Sequence, residues 1–206
     1  MNIFIFGDSN TWGYMPNVDG YRKDAPIFQY LNSQVWWAEL MKEHNVKVNG
    51  LCGRAIACDN PWLKGRNALS TFDVHFAGAQ DVDLVIFQLG TNDCKTLYNL
   101  SANDIAQNLE ILTEKAKALT GAEIMIISPS RLVMGNKVTD KYYVGGEEKT
   151  YLLDGEYKSL AIKNGYTFVS GFDIEVGEDG EHLTAKGHKL LGKRVSKALE
   201  NFLEKE

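Results

Sequence analysis

The amino-acid sequence predicts a three-layer α/β/α sandwich built on a five-stranded parallel sheet. Short runs of β-branched and aromatic residues alternate with stretches at helical spacing, which is typical of a parallel sheet covered by helices on both faces. A chain of 206 residues, of which 44% are hydrophobic, is long enough to bury a sizeable core. No internal repeat or linker-like stretch divides the sequence, so a single domain over residues 1–206 is expected.

Each element follows from its local pattern. The predicted strands cover residues 2–6, 46–48, 83–89, 123–127 and 166–169. The predicted helices cover residues 34–41, 67–77, 101–121, 151–164 and 184–203. Ser101 is a suitable N-cap for the third of these helices, and Asp104 stands in the capping-box position.

Two long loops interrupt this alternation. One follows the first strand and passes through Asp19, Gly20 and Pro26. The other is the polar, glycine-containing stretch 130–150. Long loops in compact domains are usually functional, so we expect the 130–150 excursion to lie near the active face.

Composition and charge argue against several classes of function. The formal net charge is -5, whereas nucleic-acid-binding proteins usually present a basic face. No run of about 18 apolar residues is present to span a bilayer, and the first residues lack the basic region of a secretory signal. The three cysteines, Cys52, Cys58 and Cys94, suit a reducing compartment and lack metal-ligand spacing. We therefore expect a cytoplasmic protein with no metal, no nucleic-acid partner and no membrane association.

A serine that follows the first predicted strand is the first candidate for chemistry. The apolar run 3–6 ends in Gly7-Asp8-Ser9, and Gly13 closes the turn. Chemistry in open parallel sheets collects at the carboxyl ends of the strands, where Ser9 is expected. A serine hydroxyl is a weak nucleophile, and it needs a base that is usually a histidine held by a carboxylate.

His182 is the best candidate for that base among the four histidines. It precedes the final predicted helix, and Asp179 lies three residues upstream across a glycine turn, within reach of the imidazole. On spacing alone, an ordinary loop in which Thr184 caps the helix is an equally good interpretation. The remaining histidines, interpreted as structural or exposed, are His44, His75 and His188.

Two further loops offer hydrogen-bond donors to a developing oxyanion. Asn92 lies in the tetrapeptide 90–93, directly after the strand predicted at 83–89. Gly53 follows the strand predicted at 46–48 and offers a bare backbone N–H. Either residue alone is also consistent with an ordinary turn. Three loops at one edge of the sheet, each with a needed part, together favour a catalytic site.

At this point the residues resemble the SGNH hydrolases, also called the GDSL esterase/lipase family, over the whole chain. The four blocks that carry the resemblance stand in the family's order: Gly7-Asp8-Ser9 with Thr11 and Gly13, then Gly53, then Gly90-Thr91-Asn92-Asp93, and last Asp179-x-x-His182. The resemblance implies ester hydrolysis without a metal or organic cofactor.

The resemblance also implies a role for each site residue. Ser9 would be the nucleophile and, through its own N–H, one oxyanion donor. The Gly53 N–H and the Asn92 side-chain amide would be the other two donors. His182 would be the general base, and Asp179 would orient it.

The sequence departs from the family name at Asn10, which stands where the name has leucine. That position is not catalytic, and we expect Asn10 and Trp12 to contact the substrate at the pocket wall. The stretches Gly-Asp-Ser-x-Thr-Trp-Gly-Tyr and Gly-Leu-Cys-Gly-Arg are similar to the arylesterase and acyltransferase branch, whose members often act on short acyl esters and form oligomers. Further aromatic candidates, each equally consistent with ordinary packing, are Tyr14, Trp62, Tyr142 and Tyr143.

Three functions remain in consideration. The first is hydrolysis of a small-molecule ester with a short acyl group, such as an acetylated carbohydrate or an aryl ester. The second is a thioesterase or lysophospholipase-like activity. The third is a binding module without catalysis, which the absence of any glycine-rich phosphate motif disfavours.

The adjacent residues Trp36 and Trp37 bear on oligomerisation. Adjacent side chains on a helix point about 100° apart, so the two tryptophans cannot share one buried stripe of a helix over residues 34–41. One of them is therefore predicted to face a partner in a homo-oligomer.

Overall fold

The computed structural model describes residues 1–17, 27–77 and 81–204. The strands are β1 Asn2–Gly7, β2 Asn45–Gly50, β3 Leu84–Gln88, β4 Glu123–Ile127 and β5 Thr167–Val169. The helices are α1 Ser9–Trp12, α2 Ala68–Phe76, α3 Ala102–Thr120, α4 Thr139–Tyr142, α5 Gly146–Asn164 and α6 Ala185–Leu203. Short 3₁₀ turns lie at Asn32–Gln34, Trp36–Ala38, Leu40–Lys42, Asn92–Cys94 and Thr96–Tyr98. None of the helices in these ranges has the length and apolar character needed to cross a membrane.

The five strands form one parallel sheet in the order β2-β1-β3-β4-β5. This confirms the predicted five-stranded parallel sheet. The register places Gly7 of β1 opposite Gly50 of β2 and Gln88 of β3. The loops that follow β1, β2 and β3 therefore start side by side at one edge of the sheet.

Successive side chains along each strand point to opposite faces of the sheet, and each face packs into its own hydrophobic core. The sheet and the helices on its two faces form the predicted three layers. Phe4, Phe6 and Phe87 pack on one face beneath α2, α3 and α5. Ile3 and Ile5 pack on the other face beneath α6 and the 3₁₀ turns of residues 36–42.

The helix predicted at 34–41 is wrong. Three short 3₁₀ turns replace it, because Val35 adopts an extended conformation with φ -81° and ψ 150° and interrupts the helix. Trp36 and Trp37 are both buried, and each indole N–H donates a hydrogen bond inside the protein. Neither tryptophan is exposed to face a partner subunit, so that prediction is wrong.

The excursion predicted as a loop at 130–150 is wrong in its second half. It contains the short helix α4, and α5 begins at Gly146 rather than at residue 151. Gly145 precedes α5 with φ +74°, and Glu147 and Glu148 occupy the first turn, where carboxylates stabilise a helix. Local helix-favouring charges thus extend the helix into a stretch that is polar in composition.

The other elements match their predicted positions to within a few residues. The capping box at the start of α3 is confirmed: the Asp104 N–H donates to the Ser101 hydroxyl, and the Ser101 N–H donates to the Asp104 carboxylate. The predicted loop around Asp19, Gly20 and Pro26 lies outside the described residues.

Substitutions at Trp36 and Trp62 test how much burial of a tryptophan contributes to the stability of the fold. Trp36 is 1% exposed and Trp62 is 75% exposed. We expect Trp36→Ala to lower the free energy of unfolding by about 3–5 kcal/mol, since it empties a core site and leaves Gln88 without one donor. Trp62→Ala is expected to change it by less than about 0.5 kcal/mol. Urea denaturation of both variants measures the difference, and equal losses would contradict the burial of Trp36.

Candidate active site

The turn after β1 carries Ser9 at the shared edge of the sheet. Asp8 caps the one-turn helix α1, because its Oδ1 accepts the N–H of Asn10 at 2.9 Å. Ser9 is the first residue of this helix, so its own N–H has no acceptor within the helix. The Ser9 residue is 7% exposed. The turn therefore holds a nearly buried hydroxyl beside a donor that is available to a ligand.

Buried hydrogen bonds hold this turn against the rest of the sheet. The side-chain oxygen of Gln88 accepts from the Thr11 hydroxyl at 2.6 Å and from the Trp36 indole at 2.9 Å. The Trp37 indole donates to the main-chain oxygen of Thr11 at 2.8 Å. Gly50 at the end of β2 lies so close that an added Cβ would sit 2.4 Å from the Trp12 nitrogen. Glycine at this position is therefore a requirement of the close approach.

Ser9, His182 and Asp179 form a continuous chain of hydrogen bonds. The distance from Ser9 Oγ to His182 Nε2 is 2.9 Å, and that from His182 Nδ1 to Asp179 Oδ2 is 2.8 Å. Asp179 Oδ1 also accepts the N–H groups of Glu181 and His182. A carboxylate can only accept, so the proton of a neutral imidazole lies on Nδ1 and Nε2 is free to accept the serine proton. The three side chains have the relative positions of a nucleophile, a base and an orienting acid.

The surroundings of His182 favour its protonated form. Burial alone would lower the pKa of His182, but the charges of Glu181, Asp179 and Asp8 together raise that pKa above its ordinary value. Burial works against ionisation of Asp179 as well, yet its hydrogen bonds, the one with His182 first, hold its pKa below the usual range. The Tyr14 ring stacks on the imidazole with centroids 4.2 Å apart and 23° between the planes, and it covers one face of the His182 ring.

Asn10 connects the serine turn to the histidine loop. Its Nδ2 donates to the main-chain oxygen of Glu181 at 3.2 Å, and its Oδ1 accepts the N–H of Leu183 at 2.9 Å. The side chain is buried and grips the residues on either side of His182. Asn10 thus fixes the position of His182 relative to Ser9, and it does not line the cavity where the sequence analysis expected it to contact the substrate.

Gly53 and Asn92, the candidate oxyanion donors, line the same cavity as Ser9. Gly53 has φ +78°, a conformation that favours glycine. Asn92 is buried, and its Oδ1 accepts from the Lys95 ammonium at 2.8 Å. An ammonium has no acceptor, so this contact fixes the orientation of the amide and leaves Nδ2 to donate elsewhere. Burial lowers the pKa of Lys95.

Arg54 is a buried residue behind Gly53 whose function the sequence analysis missed. Its guanidinium donates to the main-chain oxygens of Gly7 and Asn49, both at 2.7 Å, and lies 3.8 Å from the centroid of the Phe6 ring. It therefore ties the end of β1 to the end of β2. Its place directly after Gly53, in a stretch already singled out by resemblance, was the available signal.

A cavity of about 350 Å³ opens above Ser9 and is lined by the four candidate groups Ser9, Gly53, Asn92 and His182. Tyr14, Leu63, Arg66 and Lys95 are among its other lining residues. A second cavity of about 520 Å³ shares Leu63 and Lys95 with it and is lined further by Trp62 and Tyr142. Neither lining includes Asn10 or Trp12, and Tyr143 is buried in the core.

The other three histidines lie away from this chain of contacts. His44 lies between the 3₁₀ turn of residues 40–42 and the start of β2, and His75 lies on α2 beside Asn49. His188 lies on α6 and is fully buried, which lowers its pKa to about 3 and keeps it neutral. Within the described ranges, no three His, Cys, Asp or Glu side chains are grouped to hold a metal ion.

Two buried carboxyl groups, Asp8 and Asp93, lie beneath the site. Asp93 Oδ1 accepts the N–H of Ile56 at 2.9 Å, which anchors the loop after Gly53. Burial raises the pKa of Asp8 to about 6 and that of Asp93 to about 7. Each of these groups therefore binds a proton more tightly in the folded chain than in the unfolded one.

This shift predicts how Asp93 contributes to the pH dependence of stability. Its folded pKa lies above its unfolded pKa, so the stability that it contributes is present below about pH 4 and lost as the pH rises through about 7. Asp93→Asn cannot titrate, and we expect its melting temperature to fall less between pH 5 and pH 8 than that of the wild type. Thermal melts across this range measure the effect. The exposed Asp59→Asn is the control, and identical slopes for all three proteins would contradict the prediction.

Solved structures with the same architecture include two esterases. The aryl esterase of M. smegmatis superposes with a TM-score of 0.88 at 27% identity, covering 97% of this chain and 98% of that one. Est24, a carbohydrate acetylesterase from Sinorhizobium meliloti, superposes with a TM-score of 0.87 at 26% identity, covering 98% and 99% of the two chains. A search of curated proteins gave no match.

A family model places these similarities in a wider group. The model for the GDSL-like lipase/acylhydrolase family matches residues 5–190, from β1 into α6. The match spans both the Ser9 turn and the Asp179–His182 loop. It confirms the resemblance to SGNH hydrolases and the prediction of a carboxylic ester hydrolase. The chain belongs to the GDSL-like lipase/acylhydrolase family.

Proposed function

We propose that this protein hydrolyses small carboxylic esters with short, acetyl-type acyl groups, using Ser9, His182 and Asp179 as the catalytic triad. The observation that carries the proposal is the unbroken chain of hydrogen bonds from Ser9 Oγ through the imidazole to Asp179, at 2.9 and 2.8 Å. The proposed oxyanion hole consists of the N–H groups of Ser9 and Gly53 and the Asn92 amide, which border the same cavity.

The reaction follows from this arrangement. His182 Nε2 takes the proton of Ser9 as the hydroxyl oxygen attacks the ester carbonyl. The oxyanion donors stabilise the tetrahedral intermediate, and His182 then gives the proton to the departing alcohol. Water, deprotonated by His182, attacks the acyl-serine, and the acid leaves as Ser9 recovers its proton. Asp179 stabilises the imidazolium in both halves of the reaction.

The cavities support a small acyl group. The space above Ser9 is about 350 Å³, near the lower end of the range for ligand pockets. The adjoining cavity, with Trp62 and Tyr142, offers aromatic surface to the alcohol part of the substrate. Similar structures carry the names aryl esterase and carbohydrate acetylesterase, which suits an aromatic or sugar alcohol in that place.

The two alternative functions are less well supported. A lysophospholipase or a long-chain thioesterase needs a continuous apolar surface for its acyl chain, whereas Arg66 and Lys95 interrupt the apolar lining of the described cavity. A binding module has no need of an aligned Ser9–His182–Asp179 chain or of an amide oriented by Lys95. Hydrolysis of short esters accounts for both features.

The partners and the compartment form part of the same proposal. A small ester is the expected partner, with neither nucleic acid nor membrane involved. Cys52, Cys58 and Cys94 are all free thiols, which supports the expected cytoplasmic location. Assembly into a homo-oligomer is also a prediction, and it rests on the resemblance alone.

Hydrolysis of p-nitrophenyl acetate, butyrate and octanoate tests the proposed nucleophile and acyl preference. We expect kcat/KM to fall as the acyl chain lengthens, and Ser9→Ala to lose about 10³-fold or more with acetate. Ser159→Ala removes an exposed hydroxyl on α5 and serves as the control. Preference for octanoate would favour the lipase or thioesterase alternative. Equal activity of Ser9→Ala and the wild type would exclude Ser9 as the nucleophile.

Asn92→Ala tests the proposed oxyanion hole separately. Removal of one oxyanion donor typically lowers kcat by about 10² to 10³-fold, with little change in KM. Asn103→Ala, an exposed amide on α3, is the matched control and should behave as the wild type. Should Asn92→Ala raise KM while kcat stays constant, the amide would bind substrate instead of stabilising the transition state.

A further inference from the structure

Glu181 places a second carboxylate beside the imidazole of His182. Its Oε1 lies 3.4 Å from His182 Nδ1, on the same side as Asp179 Oδ2 at 2.8 Å. The Glu181 residue is 3% exposed, so water screens its charge weakly. The general base therefore has two acidic neighbours at the nitrogen that carries its proton.

The position of Glu181 is built into the fold. Its N–H donates to Asp179 Oδ1 at 3.1 Å, and its main-chain oxygen accepts from Asn10 Nδ2 at 3.2 Å. The main chain is thus held by the orienting acid on one side and by the serine turn on the other. Glu181 occupies the second x of Asp-x-x-His, and these contacts direct its side chain toward the His182 imidazole.

The other charged and titratable groups around His182 come from several elements. Asp8 in the serine turn adds negative charge, Tyr14 stacks on the ring, and His188 on α6 is neutral. The Lys95 ammonium interacts with Glu181 from the loop after β3. The groups that favour protonated His182 are Glu181, through its charge, Asp179, through its hydrogen bond and its charge, and Asp8, through its charge.

We propose that Glu181 is a positioning residue that works beside Asp179 to stabilise the imidazolium form of His182. The proposal rests on the proposed role of His182 as general base. Two carboxylates hold the positive charge that forms when Ser9 transfers its proton, and they strengthen the base. The same charges keep His182 protonated to a higher pH in the free enzyme, so the enzyme works best under more alkaline conditions than with Asp179 alone.

The pH profile of kcat/KM for p-nitrophenyl acetate between pH 5 and 9.5 tests this role. Glu181→Gln keeps the shape of the side chain and removes its charge. We expect its acidic limb to move down by about 0.5 to 1 pH unit, and its alkaline plateau to fall about three- to ten-fold because the base is weaker. Glu178→Gln removes the same charge from an exposed position of the same loop and is the matched control. Coincident profiles of the two variants would overturn the proposal.

An NMR titration of the His182 imidazole in the same proteins separates this proposal from the proposed function. It reads the protonation of the base directly and needs no turnover. A lower midpoint in Glu181→Gln than in Glu178→Gln supports the charge coupling even if the wild type does not hydrolyse the esters. Glu181→Asp, which keeps the charge on a shorter side chain, should fall between the wild type and Glu181→Gln. Equal midpoints in all variants would exclude Glu181 as a partner of His182.

Discussion

Burying a polar turn costs free energy unless its donors and acceptors find partners inside the protein. The turn that carries Ser9 meets this condition with groups from distant parts of the chain. Gln88, which also accepts the Trp36 indole N–H, anchors Thr11 beneath it, while Asn10 bonds to both neighbours of His182. The bonds that satisfy the turn are the same ones that bring the histidine loop into register with the serine. Stability and catalytic geometry therefore depend on one network.

A second constraint concerns charge: a buried histidine that accepts a proton becomes positive in a place with little water to stabilise it. The charges of Asp179, Glu181 and Asp8 act on His182, and the Lys95 ammonium contacts Asn92 and interacts with Glu181. In the proposed reaction, the carboxylates would stabilise the imidazolium, and Lys95 would orient the Asn92 amide toward the developing oxyanion. Lys95 therefore links the acidic groups around His182 to the proposed oxyanion hole.

Patterns within single segments predicted most of the fold. The strand at 123–127 and the capping box of Ser101 and Asp104 depend on residues that are close in the sequence, and both were found as expected. The prediction of a helix at 34–41 was wrong because tertiary packing outweighs the helical periodicity of that segment. Val35 is extended, and both tryptophans are buried in the core. The start of α5 was predicted too late because the polar residues 146–150 were interpreted as part of a loop. The carboxylates of Glu147 and Glu148 favour the first turn of a helix there.

The site shows the same division. Ser9, His182 and Asp179 were found from the order of short blocks, and the structure brings them within hydrogen-bond distance. Asn10 pairs with residues 181 and 183, and Arg54 joins the ends of β1 and β2, so both sets of contacts depend on how the chain folds. Lys95 and Glu181 contact residues that are close in the sequence, Asn92 and His182, but no block of the resemblance includes them. The roles of all four side chains therefore required coordinates.

The partners Ser9 and His182 are 173 residues apart in the sequence, and their meeting has a consequence for biosynthesis. Ser9 is translated long before His182. If Ser9 and His182 act as proposed, a nascent chain without the His182 loop lacks the base that Ser9 needs. Esterase activity is therefore expected only after that loop has been made and has packed against the turn that carries Ser9.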